Sequence, residues 1–500
     1  MAPMPTASSS SWKNNLKIMH LLAQRPGLTG SGHYLRGTVM AAFLSGHENA
    51  VIAGVPADDP CLDLPFGGIP GCALFRAVTF SATATTATTV TGATATTVTT
   101  GAARETIPQL NFPVTGMSDV MPYVSTIWRN MSPSMLHAWE EAFKKTIAEC
   151  INEFRPHLII SHHLWLLTAI AAEIALERSI PIVGVCHGTC LRQMTLVPDL
   201  ASRILPALGR LNAMALLNSH QEFQVLNMVE EGKFGSHTEK ISADKIPITG
   251  IAGSGFNNEI FNQATSEAER FGFAYAGKLS ASKGLPSLLR AFDSLRRKMG
   301  NHRNPEYRLP TLTIAGGGAG EEAAELKKMA ESIEGVTLAG LLDQKGLAEL
   351  FRTCRAMVLP SFYEGLPLVM AESLACGARV IATDLPGLAQ WVGPELLSHE
   401  LVTLIPMPPM LTIDTPEPAF LSDFEKSLEK AMEKVLEKTD EQANEKADES
   451  AYESAYEKER QSDITTDLNR FLDNQTWPWV LNRIVRLFRP APSSALSFPQ

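Results

Sequence analysis

The chain has 500 residues, 45% hydrophobic and 19% charged, with a net charge of -10; that length exceeds what one core usually organises, so two domains are expected. The acidic balance disfavours a general nucleic-acid binder, and no stretch is long and uncharged enough for a spanning helix, which makes a cytoplasmic protein the expectation. Seven scattered cysteines, never spaced as C-x-x-C, read as reduced, packed thiols rather than a disulfide framework.

Residues 1–14 read as a disordered tail, and residues 16–23 (LKIMHLLA) as a first strand. Gly27, Gly30 and Gly32 follow in a loop where backbone can approach a ligand closely, and residues 34–44 carry a helical period. Strand, glycine loop and helix open an α/β unit, although the glycine spacing is not that of the dinucleotide fingerprint. Residues 81–103 (SATATTATTVTGATATTVTTGAA) are low in complexity and suit either a loop or a β-prone hairpin. Together with their surroundings, from 58 to 104, they read as an insertion.

A long helix is expected over residues 134–153, followed by a strand, HLIIS, that runs into His162 and His163. A second strand, IPIVGV, runs into CHGTC and so delivers His187. Both put histidines at the carboxyl edge of an open α/β sheet, where such sheets bind ligands. A metal centre built from these histidines is not the leading reading. A hydrophilic stretch then marks the domain boundary, giving a first domain over 15–250, a second over 251–475 and a closing segment over 476–500.

The second domain repeats strand, loop and helix, which predicts a parallel sheet. In FAYAGKLSASKGLPSLLRAF the loop presents Lys278, Ser280 and Lys283 ahead of a helix. Lysines beside a helix N-terminus suit a diphosphate, because they add point charge to backbone N–H groups that already favour anions. LTIAGGG and VTLAGLL repeat the pattern. In AMVLPSFYEGLPLVMAESLACG a buried strand stops at Pro360, a loop carries Glu364, and a helix starting at Leu368 carries Glu372. Free N–H groups near Leu368 and Val369 make this loop a second anion site. Beyond it, residues 423–461 form a Glu/Lys-laced run that reads as an exposed helix held by i,i+4 pairs.

GKLSASKGLPSLLRAF, LTIAGGG, VTLAGLL and the Glu-x7-Glu segment EGLPLVMAESLACGARVIATDLPG together resemble the C-terminal half of the retaining glycosyltransferases of family 4. The N-terminal half is similar more loosely, through GLTGSGH, SHHLWLLTA and CHGTCLRQ. The resemblance implies an α/β protein of GT-B architecture: two Rossmann-like domains facing a cleft, with a nucleotide-sugar donor held mainly by the second. It implies that Lys278 and Lys283 bind the donor diphosphate, that Glu364 contacts the transferred sugar and that Glu372 holds the ribose. Backbone N–H groups near Leu368 and Val369 would add to phosphate binding, Gly30 and Gly32 would let the first loop approach the phosphates, and His187 would sit near the donor sugar. On this basis His187, Glu364 and Lys283 are the catalytic candidates, with no metal or other cofactor.

The implied donor is a UDP-sugar, and the implied acceptor a glycan, lipid or small molecule. The alternatives are a non-catalytic sugar-nucleotide-binding protein of the same fold and a GT-B epimerase. Cys190 departs from the family, which tends to carry an acidic residue after the HGT triplet. The closing TWPWVLNRIVRLFR resembles the family's last helix, which crosses back to the first domain; its arginines and apolar residues also suit peripheral contact with a membrane surface.

Overall fold

The computed structural model describes residues 15–27, 29–81, 94–100, 103–119, 121–231, 247–263, 270–300, 308–318, 320–445 and 451–488. The expected tail, residues 1–14, lies outside them. Two sheets organise the molecule. The first contains β1 (Lys17–Leu22), β2 (Glu48–Pro56), β3 (Leu74–Phe80), β4 (Thr94–Thr100), β5 (Ala103–Leu110), β6 (Leu158–His162), β7 (Ile182–Val185), β8 (Ala213–Leu216) and β9 (Ile248–Ile251). Its order is β4-β5-β3-β2-β1-β6-β7-β8-β9, parallel throughout except for the β4–β5 pair. The second contains β10 (Phe273–Ala276), β11 (Leu312–Ala315), β12 (Val336–Gly340), β13 (Ala356–Leu359), β14 (Arg379–Thr383) and β15 (Val402–Ile405), all parallel, in the order β12-β11-β10-β13-β14-β15. Central strands such as β6, β7, β8 and β13 are buried along their whole length, because helices cover both faces of a parallel sheet. This is the expected GT-B arrangement of two Rossmann-like α/β units.

Strand order fixes where a ligand can sit. In the second sheet the winding reverses between β10 and β13; in the first it reverses between β1 and β6. A crevice opens at the carboxyl ends of the strands flanking such a reversal, since the two connecting loops leave in opposite directions. The loops after β1, β6, β10 and β13 carry Gln24, His163, Lys278 and Glu364, so topology alone gathers these residues.

Three elements differ from the sequence reading. Leu74–Phe80 is not part of an insertion: it pairs with β2 from Ala50↔Leu74 to Pro56↔Phe80 as an ordinary strand of the first sheet. The Pro- and Gly-rich turns at Pro60–Asp63 and Pro65–Gly68 before it break the β-α rhythm and conceal it. Of the Thr/Ala stretch, Thr94–Thr100 pairs antiparallel with Ala103–Leu110 at the sheet edge, while 82–93 lie outside the described residues. The Glu/Lys run is not simply solvated either. Within helix Leu421–Glu445 a stripe of Phe424, Leu428, Met432 and Val435 is buried against helix Leu285–Gly300.

The last described helix, Trp477–Phe488, packs on helix Gly30–Leu44 and on β7, β8 and β9 of the first domain. Val480, Leu481, Ile484 and Val485 are buried there, so the apolar face that could have met a lipid surface is already covered. Trp477 fills the space over Gly37, where a Cβ would lie 2.1 Å from the indole. No helix among the described residues is long and apolar enough to cross a membrane.

Candidate functional site

A cavity of about 530 Å³ lies where the two reversal points face each other. The second domain contributes Lys278, Lys283, Glu364 and Leu368 to its wall, and the first contributes Gly30 and His187. Six of the nine residues to which the resemblance gives a role thus converge. Gly32, Val369 and Glu372 are not in the wall. A Cβ on Gly32 would lie 2.3 Å from the backbone nitrogen of Gly27, so this glycine permits the tight turn itself. Nothing stands within 4 Å of a Cβ built on Gly30, whose bareness leaves room toward the cavity. Val369 is half-buried and packs on the core beneath the helix.

The lysine loop follows β10. Tyr275 Oη donates to the Lys278 carbonyl at 2.6 Å and Ala281 N–H donates to the Glu322 carboxylate at 2.8 Å, which fixes the loop. Burial, with Lys283 close by, pulls the Lys278 ammonium down to about 8; Glu364 works against this and Arg192 adds to it. Lys283 Nζ lies 2.7 Å from Glu364 Oε1 and donates to the Tyr363 carbonyl at 3.1 Å. Ser361 Oγ donates to the same carboxylate oxygen at 2.8 Å. Glu364 is therefore held by two donors and keeps its second oxygen for a ligand. Helix Leu368–Ala375 begins after Pro367 with no side-chain cap, so its first N–H groups stay available at the cavity wall.

Glu372 lies one turn further along that helix. The residue is 9% exposed, and no hydrogen bond to its carboxyl is present among the described residues. Burial pushes it up to about 8. A buried carboxyl without a partner is costly unless something else supplies one.

Across the cavity His187 follows β7. Its Nε2 lies 3.1 Å from His162 Nδ1, and its ring meets Tyr34 edge-on at 5.0 Å. Burial, with neighbouring histidines adding to it, holds both His162 and His187 well below the ordinary imidazole range, so both are neutral at pH 7. His163 adopts φ +70°, a region that side-chain-bearing residues seldom enter, and its Nδ1 lies 3.4 Å from Thr189 Oγ1. The Cys190 thiol is buried 3.6 Å from Cys186 Sγ. Burial alone would raise it, but hydrogen bonds from Cys186 and His163, with His163 close by, bring it well below its ordinary value. This thiol stands where an acidic residue was expected from the resemblance.

Sequence reasoning missed the residues that link the two halves. Arg192 Nη2, in the first domain, pairs with Asp414 Oδ2 of the second at 2.9 Å and lies 3.9 Å from Asp119 Oδ2. Tyr363 Oη donates to the Gly188 carbonyl at 2.9 Å, and Asn218 Nδ2 donates to the Gly365 carbonyl at 3.0 Å. Gly188, at φ +78°, packs so closely that a Cβ would sit 3.0 Å from Gly365 Cα. No local pattern announces these partners. The only available signal was the HGT triplet, where a glycine follows a strand-end histidine. Among the described residues no group of three His, Cys, Asp or Glu is placed to hold a metal ion.

Residues 256–398 match the family model described as glycosyl transferases group 1. Among curated proteins the chain is 27% identical to a D-inositol 3-phosphate glycosyltransferase of Pseudarthrobacter chlorophenolicus, over 52% of this chain and 61% of that protein. It is 31% identical to a glycogen synthase of Mycobacterium tuberculosis, over 24% and 27% respectively. The chain thus spans about three-fifths of the length of the first of these relatives. Among solved structures it is similar to the sucrose-phosphate synthase of Thermosynechococcus elongatus, with TM-score 0.55, 14% identity and coverage of 95% and 98%. A UDP-forming trehalose-phosphate synthase from Burkholderia xenovorans gives TM-score 0.58 at 12% identity, with coverage of 95% and 98%. Anabaena HepE in complex with UDP and glucose gives 0.55 at 14% identity, over 94% and 99%. At such identities the structural likeness establishes the GT-B fold alone.

Proposed function

We propose that the protein is a retaining glycosyltransferase of the family 4 type that moves a sugar from a nucleotide-sugar donor, a UDP-sugar first, to a hydroxyl-bearing acceptor, without a metal. One observation carries this reading: two lysines, an uncapped helix start and Glu364 from one domain face His187 of the other across a single cavity. The group 1 match over the second domain supports it, as do neighbours solved with UDP and UDP-glucose.

Breaking the bond between sugar and diphosphate leaves its electron pair, and so new negative charge, on the departing phosphate oxygen. Lys278, Lys283 and the N–H groups at Leu368 meet that charge, and they favour the transition state because they are already oriented. Glu364, held by Lys283 and Ser361, accepts hydrogen bonds from the transferred sugar's hydroxyls. Glu372 stands outside the cavity wall, one turn along the helix from Leu368; its carboxyl, without a hydrogen-bonding partner among the described residues, accepts from the ribose hydroxyls where the donor extends past Leu368. The other carboxylates of the wall are committed to partners, Asp119 to Arg129, Glu322 to the Ala281 N–H and Asp414 to Arg192, so same-face attack, with the leaving phosphate taking the acceptor's proton, accounts for retention better than a covalent sugar-enzyme. The acceptor enters against Met117, Met121, Arg192 and Asp414, which line the same cavity.

Thermal-shift titration with nucleotide sugars tests the donor class, since a ligand specific to the folded state raises apparent stability by mass action. A UDP-sugar is expected to raise Tm more than the corresponding GDP- or ADP-sugar, with and without EDTA. An equal response to all of them would contradict the donor assignment.

A further inference from the structure

His162 lies at the end of β6, fully buried, and has no contact with the cavity. Its ring is within 20° of parallel to that of His187, with centroids 5.3 Å apart. That near-coplanar arrangement suits an in-plane hydrogen bond, and Nδ1 of His162 lies 3.1 Å from Nε2 of His187. Only one proton can occupy the contact, so the two rings have two ways of sharing it. If His187 donates from Nε2, the proton of neutral His162 must sit on its own Nε2, which is buried and finds no partner. If His162 donates from Nδ1, its Nε2 is left as a buried lone pair. An orphaned N–H is much the rarer and costlier of the two, so the second arrangement wins.

The neighbouring ring obeys the same rule. Asn49 Nδ2 donates to the carbonyls of Val39 and Gly71, so its Oδ1 faces His20 as an acceptor at 3.2 Å. His20 therefore carries its proton on Nε2, where the partner is, and leaves Nδ1 as the unpaired lone pair. His20 and His162 are stacked 6.2 Å apart and do not bond, so nothing on that side reverses the choice at His162.

We propose that His162 is a positioning residue whose Nδ1–H, donated to His187 Nε2, fixes His187 as the Nδ1–H tautomer, so that the ring offers the cavity a hydrogen-bond donor and not a base. His187 Nδ1 has no hydrogen-bonding partner among the described residues, and His187 lines the cavity, so this N–H is the one left for a ligand oxygen. The identity of that oxygen, a sugar hydroxyl or a phosphate, rests on the glycosyltransferase reading; the tautomer does not.

The test is long-range nitrogen–proton NMR of the full chain with ring-labelled histidine, assigned through His187→Asn. The expected spectrum shows His187 protonated at Nδ1 with Nε2 as a lone pair. In His162→Phe, which keeps an aromatic ring but no donor, the His187 signals are expected to shift toward the Nε2–H form. In His162→Asn, whose amide N–H replaces Nδ1–H, they are expected to stay. A merely structural role would not separate Phe from Asn in this way. With a UDP-sugar that turns over, kcat is expected to fall about tenfold in the Phe variant, the size of one lost transition-state hydrogen bond, and to recover in the Asn variant. A wild-type His187 protonated at Nε2 would overturn the proposal, whether or not the Phe variant folds. If no nucleotide sugar is turned over, the glycosyltransferase reading fails while the tautomer result stands by itself.

Discussion

Glu372 and Lys278 occupy environments that disfavour their charged forms, and each gives a signature in pH. The folded-state pKa of Glu372 is raised to about 8, above that of a carboxyl in the unfolded chain, so its protonation stabilises the fold at low pH and that contribution is lost as pH rises through about 8. Glu372→Gln, which cannot ionise, should therefore gain in Tm relative to the wild type between pH 6 and pH 9 while binding nucleotide more weakly. Paired melting curves across that range check this, and a gap that does not change with pH would contradict it. Lys278, lowered to about 8, is cationic below that pH and neutral above it. Donor kcat/KM, which reports the free enzyme, should fall above pH 8. Lys278→Arg, always charged, should flatten that fall. Equal declines in both proteins would show that another group sets the profile.

At the level of elements, the contact of Gly188 with Gly365 sets how the two halves meet. A Cβ at Gly365 would lie 2.6 Å from the His187 carbonyl, so Gly365→Ala must push His187 away from Glu364. Misplacement by about 1 Å is enough to cost a reaction up to ~100-fold; kcat/KM is expected to drop by 10- to 100-fold with little change in Tm, as read from kinetics and melting together. The charged helix Leu421–Glu445 has the opposite character, stability without chemistry. Met432, fully buried against helix Leu285–Gly300, should cost about 2–5 kcal/mol on change to Ala, measured by urea unfolding, with donor affinity preserved. A loss below 1 kcal/mol would mean that this helix is held elsewhere.

Across the whole molecule, what could be read in advance was what is local. The β-α repeat from Phe273 onward is written in short Val, Ile, Leu and Ala runs followed by glycine or lysine loops, and the six-stranded parallel sheet follows from it. Lys278, Lys283, Glu364 and His187 were visible because each stands in the loop that follows a strand, where topology delivers it to the crevice. Arg192, Asp414 and Tyr363 gave no such signal: their partners come from the other domain, and only the folded chain brings them together. Leu74–Phe80 went unseen because proline and glycine turns precede it, and the buried stripe of Leu421–Glu445 because Glu and Lys surround it. His162 was visible as a strand-end histidine, but what it does there was not. Its role lies in which ring nitrogen holds a proton, and that follows from three-dimensional neighbours alone.

The proposed reaction, sugar transfer from a nucleotide diphosphate, takes place in one cleft between the two α/β domains. The most direct measurement is nucleotide release from a panel of UDP-sugars, over a broad set of acceptors and in excess EDTA, by the wild type and by Glu364→Ala. Metal-independent release of UDP by the wild type is expected, with a loss of at least about 100-fold in the variant, the scale of removing a positioned transition-state contact, and with UDP binding and circular dichroism unchanged. Full turnover by Glu364→Ala, or nucleotide-sugar binding by the wild type without turnover on any acceptor, would contradict it.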